Sequence, residues 1–209
     1  MDIFNFFINR IETIIKLTSQ HFFMVLTAMI ISIVIGVIVG ILITYNEKAA
    51  EVVLHITKIL MTIPSLALFA ILIPIFRIGA TPAIIGIVLY TQLPIVRNVY
   101  TGIKNINPSI IEAARGMGMS RFKITFKIKL PLALPVLIAG IRTAVVMGVG
   151  MGAIASYVGA GGLGDYVFQG IQRTNDKMII IGALMISLMA ILVDRLLSLL
   201  QKRAEKKLS

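Results

Sequence analysis

The 209-residue sequence predicts an all-helical integral membrane protein with five transmembrane helices, and three observations carry that prediction. The chain is 58% hydrophobic with a mean hydropathy of +0.97, more apolar surface than a soluble core of this size can hide. Five stretches, 21–46, 59–76, 78–96, 143–164 and 178–193, contain no Asp, Glu, Lys or Arg. A helix needs about 20 apolar residues to cross a bilayer core of about 30 Å, so each stretch is long enough or nearly so. Third, the formal charge of +11 is unevenly placed. Residues 97–131 hold seven basic side chains and one acid, and the tail from Asp194 holds five and two, whereas 1–20 and 159–177 each balance to zero. By the positive-inside rule the central segment and the C-terminus are cytoplasmic, which with five spans leaves the N-terminus outside.

Residues 1–20 open the chain. Phe4, Phe7, Ile8, Ile11, Ile14 and Ile15 follow helical spacing opposite Asn5, Asn9, Glu12 and Lys16, so we expect an amphipathic helix on the outer membrane surface, with a sixth, tilted span as the alternative. The segment lacks a basic n-region and a small-residue cleavage site, and no signal peptide is expected. The membrane domain then covers 21–200, with spans placed at about 21–45, 52–76, 79–99, 132–158 and 178–200. In the first span Ala28, Ser32, Gly36 and Gly40 recur every fourth residue, as do Gly140, Ala144, Gly148, Gly152, Ser156 and Ala160 in and beyond the fourth. Such ridges let helix backbones approach closely inside a bundle, or border a pathway or subunit interface.

Pro64, Pro74 and Pro94 each remove a backbone donor and are expected to bend or interrupt the second and third spans. Arg142, ahead of the uncharged fourth run, has three expected fates: snorkelling to the interface, bonding carbonyls of a broken helix, or lining an aqueous path. In the fifth span, Asp194 and Arg195 precede more leucines and are expected to reach interfacial water. The basic tail 201–209 closes the chain in the cytoplasm.

Several function classes are excluded or weakened. With no cysteine and only His21 and His55, widely separated, no metal site is expected. Gly159, Gly161 and Gly164 have G-x-G-x-x-G spacing but lack the strand and acidic residue of a dinucleotide site, so they read as a helix end and sharp return into "LGDYVFQGIQ". No P-loop motif occurs, and the spans hold no cluster suited to catalysis, so the chain reads as neither an ATPase nor an enzyme. Positive charge placed beside spans argues orientation, and no nucleic-acid partner is expected.

The segment 104–131 is polar, basic and structured. Asn107 can cap a helix opened by Pro108, "SIIEAAR" favours helix, and Gly116 and Gly118 end it. Ser120 can cap a second element, "RFKITFKIK". There Phe122, Ile124, Phe126, Ile128 and Leu130 alternate with polar residues as in a strand, yet a lone strand has no pairing partner, so a helix with a broad apolar surface is preferred. Two short elements on the cytoplasmic side suit another protein's groove, or else serve orientation and anionic lipid.

Glu112-Ala113-Ala114, then Gly118, Ile128 and Leu130-Pro131, have the spacing of the EAA loop and resemble permease subunits of binding-protein-dependent ABC importers. "TIPSLALFAILIP" (62–74), "LPIVRNVYTGI" (93–103), "LPLALPVLIAGIRTA" (130–144) and "GAGGLGD" (159–165) are similar to permeases for glycine betaine, carnitine and choline, over roughly 26–200. The resemblance implies the type I ABC importer permease fold in a bacterial plasma membrane. The implied partners are a second permease, identical or paralogous, two cytoplasmic ATPases and a separate extracytoplasmic binding protein. ATP and magnesium would be held by the ATPases, with no cofactor in this chain. Glu112, Ala113, Ala114, Gly116 and Gly118 would form the ATPase-coupling element: the alanines for close approach, Gly118 for the turn, Glu112 as a polar anchor. Tyr90, Gln92, Ser156 and Tyr157 are candidates along the substrate path, each of which can equally serve helix–helix hydrogen bonding. Permeases for methionine or for a thione-betaine such as ergothioneine, and more remotely a passive channel, are the competing readings.

Overall fold

The computed structural model describes Ile3–Lys206; Met1 and Asp2 of the N-terminal segment and 207–209 of the tail lie outside the described residues. Every regular element among the described residues is helical: α1 (Ile3–Asn9), α2 (Ile11–Ile43), α3 (Glu47–Thr62), α4 (Ser65–Phe76), α5 (Ala80–Lys104), α6 (Pro108–Gly116), α7 (Arg121–Ile124), α8 (Leu130–Ala155), α9 (Leu163–Gln172) and α10 (Asp176–Lys206). A π-helical turn, Thr125–Lys129, joins α7 to α8, and a 3₁₀ turn, Ser156–Val158, extends α8. Four helical stretches are long and apolar enough to cross a membrane, and α3 with α4 makes a fifth if the bent pair is one span.

Two boundaries differ from the sequence reading. No break separates 1–20 from the first span: α2 is continuous for 33 residues, about 50 Å at 1.5 Å per residue. Residues 17–20 contain no Gly or Pro to stop a helix, and the Thr18 hydroxyl donates back to the Ile14 carbonyl at 2.7 Å. Ile14, expected to face lipid, is buried against Tyr166, Met178 and Ile181. The stretch expected as the second span is two helices meeting at 98°. Ile63 and Pro64 are extended there, as the residue before a proline prefers, and Pro64 cannot donate the next helical bond. Pro74 and Pro94 stay inside their helices instead of interrupting them.

The core joins α2, α5, α8 and α10 through Val25, Met29, Ile95, Val99, Val149 and Met189. In lipid the hydrophobic effect gives little reason for apolar helices to associate, so close packing must supply it. The small-residue ridges do so. A Cβ at Gly36 would lie 2.6 Å from Ile95 Cγ2, and one at Gly140 would lie 2.7 Å from the Pro94 carbonyl oxygen. Gly148 and Gly152 similarly face Met29 and Val25. The ridge of the fourth span is therefore packed inside this chain rather than free to border a pathway.

Candidate functional site

The central segment folds as two short helices around a tight turn. The Asn107 side chain accepts from the Ser109 amide at 3.0 Å and Pro108 occupies the first turn, so α6 starts where both residues favour it. The Met119 amide donates to the Ala114 carbonyl across the turn, and Gly118 has φ +77°. That left-handed conformation suits glycine, and a Cβ there would meet nothing within 4 Å. The Ser120 hydroxyl accepts from the Lys123 amide at 3.3 Å and caps α7.

The side chains of this element divide between inside and outside. Ala113, Arg115, Gly116, Met117 and Gly118 are exposed, whereas Ala114 is 1% exposed. Ala114 thus permits close approach within this chain instead of toward a partner, because a helix on a surface must turn one face down. Glu112 is also exposed and lines the rim of a cavity of about 260 Å³ with Thr44, Ile103, Lys104, Arg115 and Lys129. Beyond the turn, Phe122 and Phe126 stack outward with ring centroids 4.4 Å apart, while Ile124 and Thr125 are buried. The Tyr45 and Thr125 hydroxyls share a hydrogen bond of 2.7 Å that ties the π turn to the residues just past α2.

The four pathway candidates are distributed over two places. Gln92 is buried on α5, and its Nε2 donates to Ser32 Oγ on α2 at 3.0 Å and to the Val88 carbonyl at 3.1 Å. Ser32 Oγ also lies 2.6 Å from the Thr91 hydroxyl. This buried cluster joins two spans, so Gln92 performs the helix–helix bonding that was its alternative role. Tyr90 is half-buried against the neighbouring core around Phe69 and Ile87. Ser156 and Tyr157 lie in the turn after α8: Ser156 Oγ donates to the Ala153 carbonyl at 2.8 Å, and the exposed Tyr157 ring meets Phe168 edge-on at 5.5 Å.

That turn is fixed by neighbours on three sides. The Gly79 amide donates to the Val158 carbonyl at 3.0 Å, linking the α4–α5 turn to the end of α8. Gly159, Gly161 and Gly162 all have positive φ, and the His21 side chain packs beneath Gly162. His21 Nε2 bonds the Val149 carbonyl at 3.1 Å, so that nitrogen carries the proton. On α9, burial pushes the Asp165 carboxyl above the usual aspartate range.

Arg142 bonds side chains of another span rather than the carbonyls of a broken helix. Its Nε and Nη2 bond the two Asp194 oxygens at 2.9 and 3.1 Å, and its Nη1 donates to Gln201 Oε1 at 2.7 Å. A planar guanidinium matches a carboxylate bidentately, and this pairing joins α8 to α10. Asp194 is thereby tied to α8 while about a third of its side chain stays exposed. The signal in the sequence was one acid and one base, each next to an otherwise uncharged run, with no periodicity to connect them. Ser32, Thr91 and His21 were likewise missed, although Ser32 stands on the small-residue ridge.

A bundle of long apolar helices carrying a basic two-helix projection on one end is the architecture of a multi-pass membrane protein. The chain belongs to the family described as binding-protein-dependent transport system inner membrane components, which matches residues 32–206. It is 43% identical over 206 residues, 96% of each chain, to the osmoprotectant import permease protein OsmW of Salmonella typhimurium. It is 37% identical to a glycine betaine/carnitine/choline transport system permease protein, OpuCB, of Bacillus subtilis, over 91% of this chain and 88% of that one. Among solved structures, an inward-facing MetNI methionine ABC transporter matches with a TM-score of 0.85 and 25% identity, over 94% of this chain and 98% of that one. The type I permease fold and the role of an importer's membrane component follow.

Proposed function

We propose that this chain carries quaternary amine compatible solutes, glycine betaine, carnitine and choline, across the plasma membrane as half of a permease pair driven by two ATPases. The observation that carries the reading is the capped α6–Gly118–α7 projection on a chain whose relatives, at 37–43% identity, are named for those solutes. The exposed face of α6 seats in a cleft of the ATPase, which binds ATP and magnesium and supplies the hydrolysis this chain does not. Closure of the ATPase pair then moves α6 and, through the continuous helix that follows, α8. Substrate arrives from an extracytoplasmic binding protein near the α8–α9 turn, with the N-terminus outside and the C-terminus in the cytoplasm. The sparse aromatic content, 7% with no Trp, suits a pathway of low affinity rather than a cation-binding cage.

Reconstitution of the complex with its binding protein tests this. ATP-dependent uptake of labelled betaine, carnitine or choline is expected, with an ATPase co-purifying. The likeness to MetNI makes methionine the second reading, so uptake of methionine in place of the amines overturns the substrate class. Downhill flux without ATP overturns the importer itself.

A further inference from the structure

A second cavity of about 280 Å³ adjoins the one beneath Glu112 and shares with it Thr44, Ile111, Arg115 and Lys129. It adds Tyr45, Arg121 and Thr125 to the lining. The walls come from α6, from α7 with its π turn, and from the ends of α2 and α5, so the space lies where the projection meets the body. Four cations face it, Lys104, Arg115, Arg121 and Lys129, against one carboxylate, Glu112. Lys104 is already matched by Glu47 on α3 at 3.0 Å. Arg115, Arg121 and Lys129 have no ion-pair partner among the described residues, and the Lys129 ammonium lies over the Tyr45 ring, 5.9 Å from its centroid. Converging unpaired cations with hydroxyls between them are an electrostatically unfinished arrangement that an anion completes.

We propose that these joined cavities bind the phosphate of one anionic membrane lipid, clamping the projection to the ends of α2 and α5. Each volume lies a little below the range of about 300–1,000 Å³ typical of drug-sized ligands, which suits a compact headgroup. Tyr45 follows the end of α2, where an aromatic side chain marks the level of headgroups. Phe122 and Phe126, exposed on the same turn as Arg121 and Thr125, offer apolar surface to an acyl chain, for which free phosphate has no use. Basic pockets between span ends on the cytoplasmic side are suited to anionic headgroups. The proposal rests on the cytoplasmic placement of the projection given above. A clamp here makes motion of α6 depend on the lipid, and so ties ATP-driven transport to membrane composition.

The test uses the complex of this chain with its ATPase, exposed to equal parts phosphatidylglycerol and phosphatidylcholine, with retained lipid counted by native mass spectrometry. Preferential retention of phosphatidylglycerol is expected. Arg115→Gln and Arg121→Gln should each lower it about fivefold, and the double variant should lower it further. Lys123→Gln with Lys127→Gln, an equal charge change on exposed positions outside the cavities, should leave it intact. Equal retention in wild type and the arginine variants overturns the site. Displacement of the lipid by inorganic phosphate that then binds alone assigns the site to free phosphate and overturns the lipid. Loss of the ATPase with lipid retained assigns the arginines to docking and also overturns it. Failure of the wild-type chain to hold any ATPase defeats the functional reading instead, and the lipid count stands apart from it.

Discussion

At the scale of single residues, the polar side chains in the spans divide by how completely they are matched. Gln92, Ser32 and Thr91 satisfy one another between α2 and α5, as buried polar groups must where water is absent. Arg142 satisfies Asp194 and Gln201 between α8 and α10. The two charged partners are about a quarter and a third exposed, so their attraction is partly screened, and its loss leaves whichever remains without a partner near lipid. We therefore expect Arg142→Ala and Asp194→Ala each to lower the thermal stability of the purified complex, and the double variant to lower it by less than their sum. The coupling from this double-mutant cycle should fall within about 0.5–3 kcal/mol. Additive losses would show that the geometry carries no interaction energy. Neither partner could have been paired from the sequence, since 52 residues separate them and only the packing of two helices brings them together.

At the scale of elements, the stretch 122–130 shows what sequence periodicity can hide. Its alternation looked like a strand because two apolar pairs, Phe122 with Phe126 and Ile124 with Ile128, each repeat at helical i, i+4 spacing and interleave. One pair faces outward and the other inward or halfway, and the five-residue π turn carries the phase change into α8. The helix caps at Asn107 and Ser120 and the turn at Gly118 were legible because each has a local chemical cause. The orientation of Ala114 was not, since it depends on which face the body of the protein covers. Gly118 gives the clearest test of the coupling role. A Cβ there meets nothing within 4 Å, and Asn and Asp both tolerate the left-handed conformation. Gly118→Asn should therefore retain much of the uptake that Gly118→Asp loses, with both proteins present in the membrane in equal amount. Glu112→Lys should likewise impair uptake at normal abundance. Unchanged transport in Gly118→Asp and Glu112→Lys together would remove this element from the coupling mechanism.

At the scale of the whole molecule, hydropathy located the long helices but not the 98° bend of α3 against α4 or the run of α2 back to Ile11, because length and composition do not fix direction. Charge supplies the direction. The basic excess lies at the end of the bundle that carries 104–131 and the tail, and the opposite end, with 159–177, is neutral. If the first end is cytoplasmic, Met117 on the exposed turn after α6 and Gln172 at the end of α9 lie on opposite sides of the membrane. The absence of cysteine makes this directly measurable. A membrane-impermeant maleimide added to intact spheroplasts should label Gln172→Cys and leave Met117→Cys untouched until the membrane is opened. The reverse pattern would place 104–131 outside, beyond reach of any cytoplasmic ATPase, and would defeat the coupling role and the lipid clamp together. Labelling of both before opening would mean that one of the two ends is not where a span count of five puts it. The most direct suspect would then be the bent pair, since α3 and α4 together must cross once for the charge and the helix count to agree.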